Sequence, residues 1–145
     1  IGYNQRISPI QMLTFYNAIA NDGKMVKPTL YKGETEIINP QIASKANIDS
    51  LQMALVKVVT EGLGKPAQSE KVQVAGVSGG SQISTDEDNS EGKMNTIYAV
   101  EYCGYFPAEN PKYSIIVSMN KVGLPASGNL MAGSVFKEIV DYMTK

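Results

Sequence analysis

The chain has 145 residues, enough for one domain with a real core. Its formal charge is −1 and its Lys and Arg residues are scattered, so neither nucleic acid nor an anionic membrane surface is an expected partner. With no His and one Cys, it cannot build Ser-His-Asp or Cys-His catalysis, a Cys/His zinc site or an intrachain disulfide.

The first residue is Ile1 and not Met, which predicts a piece of something longer. No apolar run approaches the ~20 residues of a membrane helix. Ser8, Pro9 and Gln11 spell a helix start, with Ser8 as N-cap and Gln11 completing a capping box. Ile10, Met12, Leu13, Phe15 and Ile19 give that helix a broad apolar face, expected to be core. Asn21-Asp22-Gly23 ends it, with Gly23 as the left-handed stop. Residues 24–50 read as an extended arm with a small hairpin, since Pro28 turns Lys27 away from helix.

A second helix is predicted from about Asp49 to Thr60, capped by Asp49 and Gln52, with Leu51, Leu55, Val58 and Val59 on one face. Gly62-Leu63-Gly64-Lys65-Pro66 ends it. Gly-x-Gly-Lys is not a phosphate loop here, because it closes a helix where such a loop opens one.

The stretch Lys71 to Ile83 is central. Lys71-Val72-Gln73-Val74 alternates as a half-buried strand does, and Gly76, Ser78, Gly79, Gly80 and Ser81 then reduce it to small residues. Such glycines mark a bulge or a close backbone approach. Strand addition by an extended peptide and an anion cradled by N–H groups are the functional readings; a ligand-free bulge is the plainer one.

Residues 84–95 are polar and read as a loop. Asp86, Glu87, Asp88 and Glu91 lack the spacing of an EF-hand, so a solvated loop is expected and not a Ca²⁺ site. Thr96 to Phe106 and Tyr113 to Met119 form an antiparallel pair around the turn cluster Pro107 to Pro111. Cys103 lies inside that pattern and should be a buried, inert thiol. Asn129 is read as the cap of a last helix, with Val135, Phe136, Ile139 and Val140 apolar. The order gives an α+β fold: a partial antiparallel sheet of about three strands packed with helices.

Several stretches together resemble a family. Ile7-Ser8-Pro9-Ile10-Gln11 through Asn21-Asp22-Gly23-Lys24, then Val72-Gln73-Val74-Ala75-Gly76, Cys103-Gly104-Tyr105-Phe106-Pro107 and Val135-Phe136-Lys137-Glu138-Ile139 are similar in kind and order to class B penicillin-binding proteins, the peptidoglycan transpeptidases. The resemblance covers most of the chain and weakens at 34–48 and 84–95.

It implies that residues 1–145 are the C-terminal portion of a transpeptidase domain. The nucleophile motif Ser-x-x-Lys and the proton-shuttling Ser-x-Asn would lie in the missing N-terminal half, so this chain is expected to be inactive alone. Ser90-Glu91-Gly92-Lys93 and Ser127-Gly128-Asn129 match those motifs by letter but follow the docking strand where the family's precede it; both are read as coincidences. The family's Lys-Thr-Gly strand corresponds to Val77, Ser78, Gly79 and Gly80, the expected substrate-binding residues. Val77 removes the cation, and with it a charge-assisted bond of about 1.5–3 kcal/mol. Gly80 keeps the backbone N–H that the family gives its oxyanion hole.

The implied partners are a peptidoglycan stem peptide or a β-lactam, through the parent domain, and the missing half itself. No cofactor is implied. The expected place is the extracytoplasmic (periplasmic) face of the membrane that anchors the parent. A pseudoenzyme that binds stem peptides or a cell-division partner without acyl transfer is the alternative. An unpaired sheet edge, open to self-association unless the arm of residues 24–40 caps it, is also expected.

Overall fold

The computed structural model describes the backbone of residues 7–88 and 93–145, and the side chains of these apart from 83–88 and 93–95. The element order is α1 (Pro9–Ala20), β1 (Met25–Val26), β2 (Ile37–Asn39), α2 (Lys45–Thr60), a 3₁₀ turn (Lys65–Ala67), β3 (Ala75–Asp88), β4 (Lys93–Phe106), β5 (Tyr113–Val122), a π-helical turn (Gly128–Gly133) and α3 (Ser134–Met143). The fold is α+β. A three-stranded antiparallel sheet, ordered β3-β4-β5, has helices on both faces. No helix among the described residues is long and apolar enough to cross a membrane.

Period-two alternation decides which helix each sheet residue meets. Val74, Val100, Tyr102 and Phe106 pack with Ala132, Phe136 and Val140, forming one core beneath the π-helical turn and α3. Ala75 and Tyr105 belong to the other face, with Ile19 and Ala20 of α1 and Leu55 of α2. Aromatic rings carry the first core. Tyr102 and Phe136 lie 5.0 Å apart between centroids, and Phe106 meets Phe136 edge-on at 6.3 Å.

The capping box at Ser8 is present: Ser8 N–H donates to Gln11 Oε1 at 2.9 Å, and Gln11 N–H donates back to Ser8 Oγ at 3.4 Å. Gly23 is left-handed, at φ +93°, and Asp22 before it is also, at φ 53°. The broad face of α1 is buried only at its C-terminal end. Ala18, Ile19 and Ala20 are covered, whereas Ile10 is 50% and Phe15 43% exposed. The first two turns are only half-covered, with Met12, Leu13 and Tyr16 partly buried.

The second helix starts a turn earlier than expected. Its cap is Ser44, whose hydroxyl accepts from Asn47 N–H, and Asp49 instead pairs with Lys45 on the surface. Leu51 is exposed, and Ile48, Leu55 and Val59 are the buried residues. Gln52 sits among them and donates to the Ile19 carbonyl at 2.8 Å, tying α2 to α1. The glycines after α2 close the helix: Gly62 and Gly64 N–H groups donate to the carbonyls of Lys57 and Val58.

Three further expectations are corrected. The central strand begins at Ala75, so Lys71 to Val74 are an irregular lead-in. Val74 is buried there all the same, and the Gln73 carbonyl accepts from Ala108 N–H. The polar stretch after it continues the ladder, past a register shift between Gln82 and Ser84, as far as Asp88 opposite Lys93. Cross-strand pairing overrides a composition poor in strand formers. The last helix is entered through the π-helical turn, capped by Ser127 and not Asn129; Ser127 Oγ accepts from Leu130 N–H at 3.2 Å. The arm does form a hairpin, β1 with β2, but as a separate two-stranded sheet, and no strand among the described residues pairs with the outer edge of β3.

Candidate docking strand

β3 is an edge of its sheet, and its burial falls steadily along its length. Ala75 and Gly76 are buried, Val77 and Ser78 half-buried, and Gly79, Gly80, Ser81 and Gln82 exposed. The glycines divide at the same place. A Cβ on Gly76 would stand 2.8 Å from Tyr102 Cε1 and 2.9 Å from the Cys103 carbonyl. A Cβ on Gly79 would meet nothing within 4 Å, and one on Gly80 only the Ala99 carbonyl at 3.7 Å. Gly76 lets two strands and a ring close up. Gly79 and Gly80 leave room outside the protein.

The four expected docking residues are therefore together on one edge, but on two faces. Val77 pairs with Cys103 and Gly79 with Glu101, and these look toward α1; Ser78 pairs with Tyr102 and lies on the α3 side. Behind Ser78 the chain comes back at Gly128, where a Cβ would stand 2.5 Å from the Gly79 carbonyl and 2.6 Å from that of Glu101. Gly128 braces the exposed half of β3 from the rear. Sequence reasoning passed over this contact, because Ser127-Gly128-Asn129 was legible only as a motif look-alike. Ser127 is occupied as a helix cap.

Between β3 and the first turns of α1 lies a small recess of about 70 Å³, lined by Met12, Tyr16, Val77, Ser78, Gly79, Glu101 and Cys103. Glu101 is its only charged side chain; its carboxylate accepts from Ser118 Oγ at 2.8 Å. Sequence reasoning missed Glu101, whose signal is a charge at an inward-alternating position of an apolar strand. Burial, aided by the Glu101 charge, pushes the Cys103 thiol up to about 12. Cys103 is thus buried and neutral, as its strand pattern predicts. Burial likewise raises Tyr16 on the same wall.

Among the described residues no group of three or more His, Cys, Asp or Glu is arranged to hold a metal. Ser90, Glu91 and the side chains of Asp86, Glu87, Asp88 and Lys93 lie outside the described residues, so the Ser90/Lys93 motif and the carboxylate loop have no structural account. A larger cleft of about 560 Å³ lies away from β3, between the end of α1, the arm and the start of β5. Lys24 and Lys112 line it, and Asn17 there donates to Ser114 Oγ at 2.9 Å.

The family model of the penicillin binding protein transpeptidase domain matches residues 1–141. Among curated proteins, the chain is 26% identical to penicillin-binding protein PbpB of Mycolicibacterium smegmatis, with 99% of the chain covering 25% of that protein. It is 28% identical over 102 residues to penicillin-binding protein 3 of Bacillus subtilis, covering 65% of the chain and 15% of the relative. Among solved structures, it superposes on the transpeptidase domain of FtsI4 D,D-transpeptidase from Legionella pneumophila with TM-score 0.69 and 26% identity, over 96% of this chain and 47% of that one. The corresponding domain of penicillin-binding protein 3 from Burkholderia pseudomallei gives TM-score 0.70 and 26% identity, over 94% of this chain and 41% of that one. The chain spans a quarter or less of these curated relatives and under half of these solved domains. By sequence and by fold, it belongs to the penicillin-binding protein transpeptidase domain family, whose chemistry is peptidoglycan cross-linking.

Proposed function

We propose that the chain is the C-terminal portion of a transpeptidase domain and contributes its substrate-docking strand, without catalysing acyl transfer by itself. The observation that carries this reading is the exposed half of β3, a sheet edge with no strand on its outer side among the described residues, where a Cβ on Gly79 would meet nothing within 4 Å. Such an edge accepts an extended peptide by backbone hydrogen bonds. Val77, Ser78, Gly79 and Gly80 are the residues that line the stem peptide or β-lactam, with the Gly80 N–H as one oxyanion donor. The nucleophile, its base and the second donor come from the complementary half of the domain. The half-exposed first turns of α1 support this, since Ile10 and Phe15 present apolar surface there. The working location is the extracytoplasmic face of the membrane. The open edge also suits a second copy of the chain.

A second reading is favoured by Val77. The resemblance leads one to expect a cation on this strand, and none stands there, so a parent that binds stem peptides or a division partner without acyl transfer fits the same geometry. The two readings part over the whole parent protein and agree on this chain.

Intact-mass spectrometry after incubation with excess benzylpenicillin tests the common claim. β-Lactam capture requires an activated serine, a base within hydrogen-bond reach and oxyanion donors around one carbonyl. The chain alone should gain no mass, and the double variant Val77→Lys, Gly80→Thr should stay inert as well. A stoichiometric adduct on either protein, abolished by Ser90→Ala, would overturn the proposal.

A further inference from the structure

The recess beside Gly79 carries a further step, one that rests on the docking reading above and adds the chemistry of what docks. We propose that this recess is a subsite for a cationic group, so that the ligand lying along β3 bears an ammonium or guanidinium where it passes Glu101.

Register places the charge. Gly79 is directly opposite Glu101, and Val77 is opposite Cys103, so all four share one face and Glu101 is the diagonal neighbour of Val77. Gly79 has no side chain, and nothing lies within 4 Å of where its Cβ would be. The way from the open edge to the Glu101 carboxylate is therefore unobstructed. Ser118 holds one carboxylate oxygen at 2.8 Å, and no cationic side chain among the described residues pairs with Glu101. A partly buried carboxylate without a counter-charge attracts a cation and repels another carboxylate.

The recess has the right size and walls. Its volume of about 70 Å³ admits an alkylammonium end and little more, given that a water molecule takes roughly 30 Å³. Tyr16 gives it an aromatic wall and Met12 and Val77 apolar ones, which suit the methylenes that carry such a group. Cys103 is neutral at physiological pH and does not add to the negative charge. A lysine at position 77, as in the family's motif, would stand diagonally across from Glu101 and cancel it. Valine there leaves the Glu101 charge uncancelled.

The test uses three end-blocked tetrapeptides, Ala-Lys-Ala-Ala, its Nε-acetyl-lysine counterpart and Ala-Glu-Ala-Ala, titrated into the 145-residue chain by calorimetry. The lysine peptide should bind about tenfold more tightly than the glutamate peptide, with the acetylated one between, and added salt should shrink the gap. Glu101→Gln, which keeps an acceptor for Ser118, should abolish the preference, and so should Val77→Lys, with thermal melts confirming that both variants fold. If all three peptides bind equally and Glu101→Gln changes nothing, the cationic subsite is wrong while the docking strand stands. If none binds, the docking reading falls and takes this proposal with it.

Discussion

The two halves of β3 use glycine for opposite purposes. At Ala75-Gly76 the strand is buried, and with Gly104 opposite, it closes against Tyr102 and Phe136; a Cβ on Gly104 would sit 2.5 Å from the Ala75 carbonyl. Three residues on, Gly79 and Gly80 are exposed and have space beyond them. The same residue type leaves its Cβ position vacant in both places. In the first half the protein fills the vacated space, and in the second it does not. A glycine run in a strand is therefore two signals, and only the surroundings separate them.

Substitution should separate the two halves by size of effect. Gly104→Ala has no room, since the nearest atom is backbone and Phe136 Cζ stands at 3.1 Å; it should cost about 3 kcal/mol, the upper range for overpacking. Urea unfolding gives the number, and a loss under 1 kcal/mol would mean that the sealed half can yield. Gly79→Ala should change stability by less than about 0.5 kcal/mol, because an exposed strand site gains little and clashes with nothing. Its effect should appear instead in peptide binding, where the new methyl stands between the edge and Glu101.

A third probe tests how the sealed region is anchored. Ser69 donates to Asp141 at 2.6 Å, Lys71 Nζ to the Asp141 carbonyl at 2.8 Å, and Lys137 pairs with the same carboxylate, binding α3 to the lead-in of β3. Lys137 and then Ser69 hold the Asp141 carboxyl below its ordinary value of 3.8. A carboxyl lowered in the folded state stabilises fully above its unfolded value and loses that contribution as pH falls through its folded one. The difference in melting temperature between the natural chain and Asp141→Asn should accordingly hold steady at neutral pH and close only below pH 3.8. The effect should be modest, since the pair is partly exposed.

The fold was legible where local chemistry and burial agree. Ser8, Pro9 and Gln11 announced α1, and the turn cluster Pro107 to Pro111 between two apolar stretches announced β4 and β5, because caps and turns are set by near neighbours. Misreadings fell where a distant partner decides. Ser44 outcompeted Asp49 as a cap, Leu51 faced solvent, and residues 84–88 joined a ladder that their composition disfavours. The edge residues Val77 to Gly80 could be named from their small size and the family resemblance. Glu101 and Gly128 could not, because only the β3–β4 register and the return of the chain at the π-helical turn bring them to that edge.

The central claim is that the exposed half of β3 is a docking edge and the buried half is not. The most direct measurement is a backbone amide NMR titration of the ¹⁵N-labelled chain with the end-blocked Ala-Lys-Ala-Ala peptide. Shifts should concentrate at Val77 to Ser81 and across the ladder at Glu101, leaving Gly76, Phe136 and Val140 in place. Shifts centred on α3, or on the cleft beside Lys24 and Lys112 with β3 unmoved, would contradict the account.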